Sequence, residues 1–370
     1  MIIIDLKFLV RKRANLFFLI DNLSFPIDSM HRDYNREWLE LFGQLSDSEN
    51  NALEKYRLFK KSIWDRGGGK LLTRFESAFY QFSELDLREE KLLLNILTEE
   101  ESGELDKIFS YFQGRFELMW ENYCRILSNN LIFLENDFAS VQQVFSETLS
   151  VIGGLYGVNN FNDRIEVFLM MRPATGFSGG RMISRKPPIV MIESGISKPQ
   201  DLDQINHLRL LLFHELTHAC FENERFLKFL GEYIEKKTPL THFLEKYPST
   251  KTPALATRRA MREMIINSIE YSTYVRGRLE QGCEINSNNG ETILNEIRNK
   301  KSFKLAKGTQ EKRSIILTSG EDTYRYVAWK LEGIVRPYLD NKKRIDDEFL
   351  DGVYDVLKAF PDNLLDDLKL

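Results

Sequence analysis

The chain has 370 residues, of which 42% are hydrophobic and 29% charged, and its net charge is −4 at neutral pH. That length supports two or three packing units around a sizeable core. The composition is that of an ordinary globular protein. Lys and Arg are scattered, and the slightly acidic balance excludes nucleic acid as the main partner, since that needs a concentrated basic surface.

No stretch is long and apolar enough for a membrane span, so no membrane partner is expected. The N-terminus lacks the basic-then-apolar-then-small order of a secretory signal. Cys124, Cys220 and Cys283 are too far apart for a cysteine metal knuckle, and so sparse a set points to a reducing compartment. A cytoplasmic location is the resulting expectation.

Within residues 1–30, Phe17-Phe18-Leu19-Ile20 reads equally as a strand or a buried helix. From about 34 to 152 the apolar spacing is helical, as at Trp38, Leu41, Phe42 and Leu45 and again at Val141, Val144, Phe145, Leu149 and Ile152. Roughly five or six packed helices are expected there. Arg66-Gly67-Gly68-Gly69-Lys70 is not a phosphate loop, because Trp64 stands where that motif needs its first glycine; a turn between helices is expected. Thr98 to Gly103 reads as a solvated helix junction.

The texture then changes. Ile165 to Met171, Arg181 to Ile183 and Ile189 to Ile192 read as three short strands, punctuated by Pro173, a loop over 175–180 and Pro187-Pro188. An exposed edge of such a sheet can pair with an extended peptide. A helix follows, starting near Ser197 or Asp201 and carrying His214-Glu215-Leu216-Thr217-His218. Thr252-Pro253 opens another helix, expected to run to Gly277 or Gly282. Tyr324 to Leu331 reads as a helix stopping near Pro337, and a last helix covers roughly 346–368.

The H-E-x-x-H carries the chemistry. Residues four apart in a helix lie one turn apart on nearly the same side, so His214 and His218 can direct both imidazoles at one zinc ion. Glu215 falls at the edge of that face, where its carboxylate can accept a proton from water without binding the metal. A catalytic zinc site needs a third protein ligand and one open position. Phe221 and Glu224 occupy the positions where a metzincin would have its turn glycine and third histidine, so that arrangement is set aside. A carboxylate from the helix after Pro253 is the other source, and Glu263 and Glu270, seven residues apart, share a face.

At this point residues 160–280 resemble the gluzincin zinc metallopeptidases, in which a Glu on a later helix completes His-His-Glu coordination. Ile269-Glu270-Tyr271-Ser272-Thr273-Tyr274 is similar to the E-G-x-A stretch of bacterial zinc-protease families, with Tyr271 in place of the Gly and Thr273 in place of the Ala. The resemblance implies Glu270 as third ligand, with Glu263 as the alternative. It implies hydrolysis of a peptide or protein substrate, with Glu215 as the base and then the proton donor to the leaving amine. Zinc lowers the pKa of water from about 16 toward about 7 and polarises the scissile carbonyl. A donor to the oxyanion would come from Tyr324 or Tyr326, with Tyr274 and His242 as further candidates. Tyr274 stands where thermolysin-like members have an Asp that supports a ligand histidine, so that support must come from elsewhere, for instance Asn267.

The expected architecture is α+β and mostly helical. It has an N-terminal helical region over 1–155, a core over 156–290 and a C-terminal helical region over 291–370 completing a cleft. By the resemblance the core is zincin-like, with a small sheet next to the H-E-x-x-H helix. The competing readings are an inactive zincin-like scaffold, against which the intact Glu215 counts, and a helical interaction protein with a structural zinc, which would need a fourth protein ligand.

Overall fold

A computed structural model describes residues 4–24, 32–81, 93, 95–172, 179–194, 202–243, 252–280, 290–300, 303–307, 313–317 and 320–368. The protein is mostly helical with a small four-stranded sheet, an α+β fold. It divides into two units, one built from Ile4–Ser140 and Asn162–Glu215, the other from Val141–Phe161 and Leu216–Leu370. These interleave along the chain rather than following one another as consecutive regions.

The first unit holds strands β1 (Asp5–Leu9), β2 (Arg164–Met170), β3 (Gly180–Arg185) and β4 (Pro188–Glu193), in the order β1-β2-β4-β3. The three strands expected from the sequence are present. β1 was not anticipated, because its five residues gain a sheet only by pairing parallel with β2, Phe8 opposite Val167, more than 150 positions away. β4 is buried along its whole length, as a central strand covered on both faces must be. β3 pairs antiparallel with β4 and forms one edge.

Helix α1 (Lys12–Leu23) contains the Phe17–Ile20 run, which settles as helix and is buried nearly all round. Phe17 stacks on Phe79 at 4.2 Å between ring centres. The Asn15 amide accepts from Met171 N at 2.7 Å and donates to Leu169 O at 3.3 Å, closing the end of β2.

Among the described residues of this stretch lie helices α2 (Arg32–Phe42), α3 (Asp47–Gln81), which is two helical segments joined across a kink, and α4 (Glu99–Leu155). The glycine run is a break inside α3, with Gly68 at φ 60° and ψ −160°. The solvated junction expected at Thr98 is the exposed start of the 57-residue α4. Thr98 Oγ1 accepts from Glu101 N at 3.2 Å, and Glu101 accepts from Thr98 N at 2.9 Å.

A charge cluster, buried at Asp21 and Glu76 and open at Arg181, ties β3 to α1 and α3. Lys60 lies 2.5 Å from Asp21 and 2.8 Å from Glu76, and Arg181 of β3 donates to Glu76 at 2.7 Å. Asp21 and Glu76 are buried and Arg181 is exposed, so removing Lys60 leaves the two carboxylates least compensated and costs about 3–5 kcal/mol. Helix α5 (Leu202–Cys220) begins in this unit and is clamped to α4 by Arg209, which grips Asp137 with both Nε (2.8 Å) and Nη2 (2.5 Å).

In the second unit, α6 (Glu224–Glu235) is capped by Asn223. A short 3-10 turn spans Thr241–Phe243. Helix α7 (Pro253–Glu270) starts as expected, with Thr252 accepting from Leu255 N and proline at the first turn. It ends earlier than expected: Tyr271 closes it and Ser272 caps a new helix, α8 (Thr273–Leu279). Then come α9 (Gly290–Lys300), the hairpin β5 (Phe303–Lys307) and β6 (Arg313–Leu317), α10 (Gly320–Asp340) and α11 (Asp347–Leu368).

Pro337 does not stop α10. It forfeits one N–H bond, but the last turn continues, and Asn341 donates its side-chain amide to Pro337 O at 2.8 Å. Helices α10 and α11 pack on α7, the helix that carries Glu263. Among the described residues no helix is long and apolar enough to cross a membrane. Ser197, Asp201, Cys283 and the expected loop over 175–178 lie outside the described residues.

Candidate metal centre

Helix α5 brings His214 and His218 to one side by the i, i+4 geometry of its backbone. Its opposite side is apolar, with Leu208, Leu212, Phe213 and Leu216 all buried. The Nε2 atom of His218 lies 3.6 Å from a carboxylate oxygen of Glu263 on α7. One ligand atom each from His214, His218 and Glu263 lies within 4.8 Å of the other two.

This donor set fits zinc. Ligand atoms around a tetrahedral ion at about 2.1 Å are about 3.4 Å apart, so the observed spacing needs a closure of an ångström or so at most. Two neutral imidazoles and one carboxylate are also the donors zinc takes in catalytic sites with an open position.

Glu270, the residue favoured by the family resemblance, is outside the group; Glu263, the alternative, is inside it. Seven residues share a helix face but are about 10.5 Å apart along the axis, so the two carboxylates sit at different depths, and Glu263 is the one level with the histidines. Glu270 sits at the last turn of α7, 8% exposed.

The support for His218 comes from Glu222, four residues on in the chain, and not from Asn267. Its Oε2 lies 2.8 Å from His218 Nδ1. Glu222 is 1% exposed and is itself held by Arg262, whose Nε donates to Oε1 at 3.0 Å and whose Nη2 donates to Oε2. Consecutive residues of α7 thus control both nitrogens of His218: Arg262 through Glu222, and Glu263 directly. Asn267 has no part in this, because its amide donates to the Glu263 carbonyl of its own helix at 2.6 Å. The signal for Glu222 was its spacing: an acid at i+4 from a ligand histidine can reach the free ring nitrogen.

Burial opposes charge on His218, but its hydrogen bonds and charge interactions with Glu222 and Glu263 prevail and push its pKa up to about 10. Burial likewise raises the Glu222 carboxyl, yet His218 and Arg262 hold it down to about 2. The ring therefore sits between two carboxylates, oriented by one and facing the other.

Glu215 is 7% exposed and touches the edge strand. A Cβ placed on Gly180, at the start of β3, would lie 2.8 Å from Glu215 Cγ and 2.9 Å from Leu211 Cδ1. Only glycine allows the strand to approach the helix this closely.

The other candidates are placed as follows. The Tyr326 hydroxyl donates to Asp367 at 2.7 Å and is committed there. Tyr274 lies under the guanidinium of Arg278, 4.4 Å from its ring centre. His242, in the 3-10 turn, packs against Phe243, and burial lowers its pKa. Tyr324 lies on α10 and is half-buried. Glu224 is exposed at the first turn of α6. None of these five belongs to the group of three. Comparison of the chain with protein-family models, with curated proteins and with solved structures gave no match.

Proposed function

We propose that the protein is a zinc-dependent metallopeptidase of the gluzincin type, with His214, His218 and Glu263 as metal ligands and Glu215 as the catalytic base. The observation that carries the reading is the meeting of an H-E-x-x-H pair with a carboxylate from a separate helix. Zinc, when bound, supplies a Lewis acid that makes water acidic enough to react at neutral pH and polarises the scissile carbonyl.

The chain's own residues do the rest. Glu222 fixes the orientation of the His218 ring through Nδ1, leaving Nε2 for the metal. Glu215 accepts a proton from water and returns it to the leaving amine. The edge strand β3, in contact with Glu215 at Gly180, offers unpaired backbone groups to an extended peptide, which would run beside that carboxylate. The zincin-like core and the peptide or protein substrate belong to this proposal.

A purely structural zinc is the weaker reading, since the group has three members among the described residues and a closed site needs four. The test compares the native chain with Glu215→Gln on a mixed peptide library, with zinc content measured for both. The expected result is equal zinc and a loss of about 10²–10⁴-fold in cleavage rate in the variant. Equal cleavage by both, or zinc without any cleavage by the native chain, overturns the reading.

A further inference from the structure

A second feature of the molecule is a cleft of about 320 Å³, walled by Tyr156 at the end of α4, Arg225, Phe226 and Phe229 on α6, and Arg344 and Asp347 ahead of and in α11. It is a built site. Helix α4 ends on Gly157 at φ +73°, with Val158 N bonded back to Gly153 O at 2.7 Å. The chain before α11 is pinned there by Ile345 N donating to Leu155 O at 2.9 Å.

Gly157 is also where Arg344 packs. A Cβ at that position would lie 2.6 Å from the guanidinium carbon, so the absent side chain makes room for the charged group. The aromatic wall is ordered, with Tyr156 and Phe226 edge to face at 4.7 Å.

Two polar groups in this wall are unused: among the described residues neither Arg225 nor Arg344 has a side-chain hydrogen bond or ion pair. The buried Tyr156 hydroxyl has no hydrogen-bond partner, but its charged neighbours are Glu222, Arg262 and Glu263, so only the ring of Tyr156 is assigned to the cleft. Asp346, beside them, is already committed, accepting from Tyr338 Oη at 2.6 Å and from Phe349 N at 3.0 Å.

We propose that this cleft binds a small monocarboxylate with a flat apolar body, its carboxylate held by Arg225 and Arg344 and its ring against Phe226, Phe229 and Tyr156. Guanidinium groups are suited to a planar carboxylate, which they can grip with two parallel hydrogen bonds. The volume sits at the lower end of the range for small-molecule sites, enough for a ring and a short chain. Asp346 and Asp347 in the lining offset the attraction of the two arginines for a monoanion and a dianion alike, so the choice of a carboxylate over a tetrahedral phosphomonoester rests on its planar fit to the guanidinium. The proposal does not depend on the peptidase reading.

The test is calorimetric titration of the full-length, metal-free protein with 3-phenylpropionate, its neutral amide 3-phenylpropionamide, and phenyl phosphate. Metal-free protein keeps the carboxylate from binding zinc at the His pair. The acid is expected to bind about tenfold more tightly than the amide, the difference expected of charge-assisted hydrogen bonds. Phenyl phosphate should bind less tightly than the acid. The double variant Arg225→Gln with Arg344→Gln, both exposed positions, should bring acid and amide to equal affinity.

No binding, equal affinity for acid and amide in the unaltered chain, tighter binding of phenyl phosphate, or unchanged preference in the double variant would each overturn the proposal. So would binding that appears only after zinc is added and disappears in His218→Ala. The acid-to-amide comparison needs no variant, so a folding defect cannot mask the answer.

Discussion

Two carboxylates set the state of His218. Glu222 takes Nδ1 at 2.8 Å, and Glu263 faces Nε2 at 3.6 Å. The geometry assigns them different tasks: the first is locked by Arg262 and cannot turn toward a metal, whereas the second has its oxygen directed at the shared position. Zinc titrations should therefore separate the two acids of α7. Glu263→Gln is expected to weaken zinc binding by about 100-fold or more, because it removes an anionic ligand, whereas Glu270→Gln should leave it within a few-fold of native.

Another residue-level outcome concerns Glu49, which accepts from Ser46 N at 2.7 Å and from Arg115 at 2.8 Å. Burial raises its carboxyl, but the hydrogen bonds from Ser46 and Arg115 outweigh it and hold it below 4.5. A depressed folded-state pKa stabilises above the unfolded value and loses that contribution as pH falls through the folded value. The stability gap between native and Glu49→Gln protein should accordingly be level above pH 4.5 and shrink on further acidification, as read by urea unfolding at a series of pH values.

Local chemistry sets the ends of the elements. Ser46-Asp47-Ser48-Glu49 and Thr98-Glu99-Glu100-Glu101 both carry the S/T-x-x-E signature, and both close reciprocal capping boxes at the starts of α3 and α4. Thr252-Pro253 caps α7 from one side, Thr252 accepting from Leu255 N with no acid at that position to answer it, and was legible. The end of α7 was not, since no Gly or Pro marks it; Ser272 ends it by capping the next helix, with its Oγ accepting from Val275 N at 3.2 Å. Helix α10 ends through a non-glycine in the left-handed region, Lys342 at φ 51°, with Lys343 N bonded to Tyr338 O at 2.9 Å. Lys342→Gly relieves that conformation and should raise unfolding free energy by about 0.5–1 kcal/mol in denaturant melts.

At the scale of the whole molecule, the proposed zinc site implies a link between metal binding and folding. A ligand that binds only the folded chain stabilises it by about 2.7 kcal/mol at a hundredfold excess over Kd. Adding zinc should raise the Tm of the native protein, EDTA should reverse the rise, and His218→Ala should show neither change.

The H-E-x-x-H pair, the helical character of most of the chain and three of the four strands of the sheet could be read from the sequence, because each rests on spacing within about twenty residues. Which acid of α7 meets the histidines, the role of Glu222 under Arg262, and the parallel partner of β1 were decided by tertiary structure. Those depend on the depth and rotation at which one element meets another. Periodicity names a face of a helix or strand, but it leaves open how far along that face its partner will sit.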